Sequence, residues 1–288
     1  MRPTSTPHEA GAAVAPSDVK HVIHGSPVAI RPLHANAEFQ ACVELQRDIW
    51  GWEQAEIVPA TLLHVVEHVG GLAVGAFDAH DQLLGFVFGL TGPRDGALAH
   101  WSHMLGVRET ARDHGVGRML KEYQRNVMHA LGVKRIYWSF DPLQAKNAYF
   151  NINRLGAAVD SYVPDMYGVT ASPLHLGMAT DRIVARIETA PHEARPVRAP
   201  SIDGLPILTP FARPGDITIP LGDHLPAALL IEIPEDIVAV LRASVSQAKA
   251  WRLGVRENFQ WALARGYAAV GVHRGDGGRT YYIAVRQA

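Results

Sequence analysis

The stretch that most constrains this chain runs from Ala97 to Leu131, ALAHWSHMLGVRETARDHGVGRMLKEYQRNVMHAL. It begins as a strand ending at Val107 and passes through the polar turn Arg112-Asp-His-Gly-Val-Gly117. An amphipathic helix follows at once. Val116, Met119, Leu120, Tyr123, Val127, Ala130 and Leu131 recur at helical spacing, and Gly132 stands just past the end as a stop. The first N–H groups of such a helix have no partner inside it, so they point into the turn with the positive end of the dipole. Gly115 and Gly117 leave the main chain open to close approach by an anion. The segment offers a cradle for a pyrophosphate. A plainer reading, in which the glycines only shape the turn, stays open at this point.

Two other phosphate loops are excluded. No Lys-Ser or Lys-Thr follows Gly117, so this is not a P-loop. A dinucleotide-binding unit would close its next strand on an acidic residue that reaches a ribose. Here the strand Arg135–Phe140 leads into Asp141-Pro142, which reads as a helix cap with Gln144 completing a capping box. Ala145, Ala148, Tyr149, Ile152 and Leu155 would form the buried stripe of that helix.

The turn 112–117, set between a strand and an amphipathic helix, resembles the Q/R-x-x-G-x-G/A acyl-CoA loop of the GNAT superfamily of N-acetyltransferases. The likeness extends over about 28–188 as an order of elements, and Asp141–Phe150 with Arg154-Leu-Gly156 resemble that family's second conserved block. More narrowly, the chain is similar to a subgroup of acetyltransferases with a late Ile-Pro-x-Asp-like run, here Ile233–Asp236, and a Trp-Arg-x3-Arg helix, here Trp251, Arg252 and Arg256. The resemblance implies an α/β fold: a mixed, mostly antiparallel GNAT-like sheet with helices on both faces, plus a smaller C-terminal α/β segment. It also implies acetyl-CoA or another acyl-CoA as co-substrate. The pantetheine would lie along Leu105, Gly106 and Val107, and the pyrophosphate on Arg112, Asp113, His114, Gly115, Val116, Gly117 and Arg118, with Asn147 nearby. A small-molecule amine would then attack the thioester directly. Transfer of succinyl or another acyl group to amino acids, or acyl-CoA binding without catalysis, are the alternatives.

That chemistry needs a base for the amine and has use for an acid at the departing thiolate. Strict alternation along the strand puts Trp101, His103, Leu105 and Val107 on one face and His100, Ser102 and Met104 on the other. No carboxylate stands on the first face, so His103 is the candidate base, unless it only satisfies a polar spot in the core. The family's acidic tyrosine falls on Ile152, and its usual asparagine on Ala145. Tyr149 is then the candidate acid, or the thiolate leaves unassisted.

Charge narrows the partners. With 27 basic and 28 acidic residues and 48% apolar content, the chain lacks the basic excess of a nucleic-acid binder. Arg118, Lys121 and Arg125 read as the solvated outer face of their helix. A single cysteine, Cys42, excludes a disulfide framework and reads as a small core residue. His64 and His68 form one helix face, and no metal is expected. The first 26 residues, rich in Ala, Pro, Thr and Ser, read as an unstructured tail without an export or membrane segment, so a cytoplasmic enzyme is expected. A homodimer stays open.

Along the chain, Val28–Pro32 reads as a strand and Asn36 as the cap of a helix carrying Phe39, Cys42, Val43, Gln46, Ile49 and Trp50. The resemblance places the Trp50-Gly-Trp52 loop in the acceptor pocket. Domain limits are expected at 27–190 for the acyl-CoA domain, 191–226 for a linker, and 227–288 for a segment built as a degenerate half-repeat. In that segment one long helix over Ile237–Ala262 is expected, with Arg252 and Arg256 one turn apart and able to share a carboxylate.

Overall fold

A computed structural model describes residues 18–23, 26–51, 57–168, 178–190, 201–212 and 225–287. Trp52, most of the expected tail and most of the expected linker lie outside the described residues. The strands are β1 (Val19–Ile23), β2 (Ser26–Pro32), β3 (Leu72–Phe77), β4 (Leu83–Arg94), β5 (Ala97–Val107), β6 (Arg135–Phe140), β7 (Ala158–Val163), β8 (Arg182–Glu188), β9 (Ile207–Leu208), β10 (Ala228–Pro234), β11 (Tyr267–Arg274) and β12 (Arg279–Arg286). The helices are α1 (Asn36–Trp50), α2 (Ala60–Val65), α3 (Val116–Ala130), α4 (Ala145–Tyr149), α5 (Ile237–Ala243) and α6 (Val245–Leu263).

The first eight strands form one sheet in the order β1-β2-β3-β4-β5-β6-β8-β7, and the other four a second sheet in the order β11-β12-β10-β9. Within the larger sheet every neighbouring pair is antiparallel except β5 with β6. The mixed, mostly antiparallel sheet implied by the resemblance is therefore present. Helices lie on both of its faces because the strands are apolar on both. All six residues of β3 are buried. Leu72, Val74 and Ala76 join the core under α3, while Ala73 and Phe77 join the core under α1 and α2.

Several local expectations change. Val19–Ile23, expected in the tail, pairs residue for residue with β2 as an edge strand. Asn36 sits inside α1 instead of capping it. The cap comes from Glu38, which accepts from the N–H of His34 at 2.7 Å and of Ala35 at 3.3 Å while Arg31 holds its other oxygen. Burial opposes that carboxylate's charge, yet these donors keep it below its ordinary range. The long C-terminal helix is two helices, divided at Ser244, whose hydroxyl caps α6 through Gln247 N–H. Asp236 of the Ile-Pro-x-Asp run caps α5 by accepting from Val238 and Ala239.

Asp141 is the largest change. It does not cap a helix, because α4 starts only at Ala145. Both its oxygens accept from the guanidinium of Arg252 at 2.7 Å, a bidentate pair buried between β6 and α6. Arg256 makes its own pair with Asp181 at 2.6 and 2.9 Å, so the two arginines do not share a carboxylate. Tyr282 donates to Pro142 O, and Asn153 bonds both ways with the backbone of Val272. Tyr162 stacks on Phe259, which meets Tyr282 edge-on. One apolar core consequently runs from α3 through β6 to α6 and β12.

Burial works against the charge of Asp141, but the Arg252 fork outweighs it and holds the carboxyl below its ordinary range. Removing Arg252 alone would leave a buried carboxylate without its fork. Arg252→Met is expected to lower unfolding free energy by about 3–5 kcal/mol in urea titration, and adding Asp141→Asn should restore most of it. Equal stability of Arg252→Met and the parent would show that the pair is not holding the two parts together.

Candidate active site

The site begins where two neighbouring strands stop pairing. β5 and β6 share register only at Ala99–Arg135, His100–Ile136 and Trp101–Tyr137. Beyond that, β5 stays paired with β4 as far as Val107, and β6 stays paired with β8 as far as Phe140. Each strand follows its outer partner, so the sheet opens into a V-shaped slot. Its vertex is at Trp101 and Tyr137, and one wall is the edge of residues 102–107, which has no strand partner on this side among the described residues. An exposed row of backbone donors and acceptors is a ready surface for an extended ligand.

The mouth of the slot meets the start of α3. Asp113 and Gly115 both take left-handed backbone conformations (φ 63° and 85°), which turn the chain sharply into the helix. Among the described residues no side chain caps this end, and its first turn carries no acidic residue. Arg112 donates through Nε to Val107 O at 3.1 Å, tying the turn to the end of β5. Arg118, expected among the phosphate contacts, pairs instead with Glu122 one turn along the helix. A Cβ at Gly117 would lie 3.7–3.8 Å from Phe150, Val107 and Leu105, so this glycine faces the slot. A Cβ at Gly106 would fall 2.7 Å from Phe86 and 2.8 Å from Ile49, so its missing side chain admits the end of α1.

A bulge corrects the strand faces. Gly89 pairs with Ser102 and Phe88 with Met104, which leaves His103 as an extra residue on β5. Alternation therefore restarts there. His100, Ser102, Leu105 and Val107 share the α3 side, whereas Trp101, Met104 and Gly106 share the α1 side. His103 is exposed, with its ring edge-on to Phe88 of the α1-side core at 6.1 Å. It keeps a position beside the slot, but not the face shared with Leu105 and Val107.

On the α3 side the slot has a polar floor built around Lys121, a residue expected on the solvated outer face of its helix. Lys121, one turn beyond Gly117, is buried. Its Nζ donates to Ser102 Oγ at 2.6 Å and Gln124 Oε1 at 3.3 Å, and lies 4.4 Å from the centre of the Trp138 ring. Gln124 then turns its Nε2 to His100 Nε2 at 3.0 Å, which makes that ring nitrogen the acceptor. His100 Nδ1 must carry the proton and donates to Thr91 Oγ1 at 2.9 Å. Gly89 makes room for this ring, since a Cβ there would come within 2.2 Å of it. Burial, helped by the Lys121 charge, pulls His100 down to about 3, so it stays neutral. Burial likewise pulls the Lys121 ammonium down to about 7.

The wall after β6 is held by amides. Trp138 Nε1 donates to Asn151 Oδ1 at 2.9 Å, and Asn151 Nδ2 donates to the backbone and side-chain oxygens of Asn147. Asn147 thus orients Asn151 and, through it, the Trp138 ring over Lys121. A π-helical turn, Phe150–Arg154, continues α4 and closes with Leu155 N–H on Phe150 O. The aromatic that reaches Gly117 is Phe150. Tyr149, the expected acid, is exposed with Arg154 over its ring, and Ile152 is buried. Cys42 is a core residue beside Gln46, its thiol pushed up to about 12 by burial. His64 and His68 meet edge-on at 5.5 Å. No helix among the described residues is long and apolar enough to cross a membrane.

No protein-family model and no curated protein matches the sequence. Among solved structures, the chain is similar to a putative GNAT-family acetyltransferase from Desulfovibrio desulfuricans, with 17% identity and a TM-score of 0.45 over 57% of this chain and 99% of that one. It is also similar to an aminoglycoside 6'-acetyltransferase type Ii, with 21% identity and a TM-score of 0.45 over 57% and 98% of the two chains. The NatC complex bound to Gag peptide and CoA contains a chain at 16% identity and a TM-score of 0.46, over 56% and 98%.

The buried lysine leaves a thermodynamic mark. Its pKa is lowered from 10.5 in the unfolded chain to about 7 in the fold. Between those values the unfolded state binds the extra proton, so folding stability contributed by this group rises with pH. Relative to Lys121→Met, the parent should gain up to about 1.4 kcal/mol per pH unit above pH 7 in denaturant titrations. Parallel stability curves for the two proteins would show that the ammonium is not desolvated as described.

Proposed function

We propose that this protein is an acyl-CoA-dependent N-acyltransferase that moves an acyl group, acetyl first among them, to the amine of a small molecule. The observation that carries the proposal is the meeting of two features: a strand edge over 102–107 with no strand partner among the described residues, and a helix start at its mouth that no described side chain caps. The helix amides and the dipole suit the pyrophosphate, and the strand edge suits the amide-bearing pantetheine arm. A donor lying this way carries its thioester toward the vertex, between His103 and Ser102. The amine would come from the α1 side, where His103 takes its proton. Attack on the carbonyl carbon then expels the thiolate toward α3.

A binding module without catalysis is the second reading, favoured by Ile152 at the acidic tyrosine's place and by the exposure of Tyr149. Release of free CoA from acetyl-CoA on adding a panel of small amines separates the two. An acyl-CoA bound but never consumed by any amine would select the module.

Gly117→Val should fold normally, because a Cβ there meets only ordinary van der Waals contacts. It should nevertheless abolish acetyl-CoA binding by calorimetry, as the branched side chain fills the slot. Arg112→Ala should weaken binding by about 1–3 kcal/mol. Unchanged affinity in Gly117→Val would rule out the cradle. For the amine side, His103→Gln should cost 10²–10⁴-fold in kcat/KM and change the shape of the pH–rate profile. A lower melting temperature with an unchanged pH profile would make His103 structural.

A further inference from the structure

We propose that Lys121 is the proton donor to the departing CoA thiolate, taking the role that a tyrosine on the α4 segment does not fill in this chain. The inference rests on the acyltransferase reading above. Its geometry is that of a floor beneath a slot. Gly117 and Lys121 are four residues apart on α3 and therefore share a face. Gly117 lies against Leu105, Val107 and Phe150 near the mouth. Lys121 lies against Ser102 and Trp138, the first residues of β5 and β6 beyond their last pair at Trp101 and Tyr137. Its Nζ is thus set at the closed end of the slot, on the side opposite the His103 ring.

A buried lysine needs a reason. Among the described residues no carboxylate pairs with Lys121, whereas the other buried cation of this region, Arg252, has its own acid. Ser102 and Gln124 accept two of its N–H bonds, and the Trp138 ring faces the third direction as a weak acceptor of positive charge. The ring itself is locked by Asn151. The charged and titratable groups facing Lys121 are few. From β5 comes His100, neutral and already engaged with Gln124 and Thr91; β6 presents Trp138, and α3 itself presents Gln124. The ammonium is held by dipoles and a π face that do not claim its protons outright. Burial also brings it to about 7, below the ~8.5 of an ordinary thiol, so transfer of its proton to a thiolate runs downhill.

The step balances. The amine nitrogen bonds to the carbonyl carbon, and the C–S bond breaks with its electron pair on sulfur. An N–H proton of Lys121 moves to that sulfur, giving the free CoA thiol. The neutral lysine regains a proton from solvent, which has received one from the acylated nitrogen through the base. Activity in this scheme falls as pH rises through the lysine's titration, opposite in sign to a base limb.

Two variants test it in the full-length protein. Lys121→Met removes the proton, while Lys121→Arg keeps a charge that cannot be given up near neutral pH. Both should bind acetyl-CoA within about threefold of the parent and lose about 10²–10⁴-fold in kcat, with the falling alkaline limb gone. A parent that binds no acetyl-CoA would overturn the acyltransferase reading and this role with it. Binding and turnover by the parent, with kcat and the alkaline limb intact in either folded variant, would overturn the role of Lys121 alone.

Discussion

The structure depends on a failure of pairing. Parallel strands are joined by evenly spaced, slanted bonds, and β5 and β6 make them at only three residue pairs before parting. What keeps each strand straight past that point is its antiparallel partner on the outside: β4 for β5, and β8 for β6. The gap is therefore built by strong pairing on both flanks. Its polar edge lies beside one of the chain's strongly amphipathic helices, whose uncapped start opens at the mouth. Removing either flank would let the gap close or collapse, which is why the slot needs the whole sheet.

The second sheet serves the same opening from the far side. Asp141 follows directly on the last residue of β6, and Arg252 of α6 holds it with two hydrogen bonds in a dry setting. Tyr282 fixes the next carbonyl at Pro142, and Asn153 fixes the π-helical turn to β11. The segment between these anchors carries Asn147, Phe150 and Asn151, which together shape the slot wall and hold Trp138. Packing in the C-terminal part is in this way coupled to geometry some distance away, through the short turn at 141–144 and the helical segment that follows it.

Much of this was legible in the sequence, and the misses have physical causes. Element order and the glycine turn follow from local periodicity and from backbone conformations that only certain residues adopt easily, so they survive folding. The bulge at His103 does not. It is a property of the pairing between Phe88 and Met104 on two strands, and a single strand's alternation cannot reveal it. Lys121 and Gln124 flank the apolar stripe of α3, where a polar residue reads as solvated unless the facing strands offer polar partners. Ser102 and His100 do so, with Gly89 the one sequence sign that a ring needed space. Asp141 before a proline carries the local signature of a cap, yet its partner stands 111 residues away. Local and long-range partners share this carboxylate: Oδ1 still accepts from Leu143 N–H at 2.9 Å, while the fork of the buried arginine takes both oxygens.

The central claim is that the unpaired edge of β5 and the start of α3 together receive an acyl-CoA. Amide hydrogen exchange measured with and without saturating acetyl-CoA tests it most directly, because among the described residues β5 has no strand partner on its slot side beyond Trp101, and the first N–H groups of α3 have none inside the helix. The account calls for new protection over 102–107 and 115–118, with little change in β3 or β10, which are already protected by their ladders. Protection confined to any other surface, or none at saturating acetyl-CoA, would contradict it.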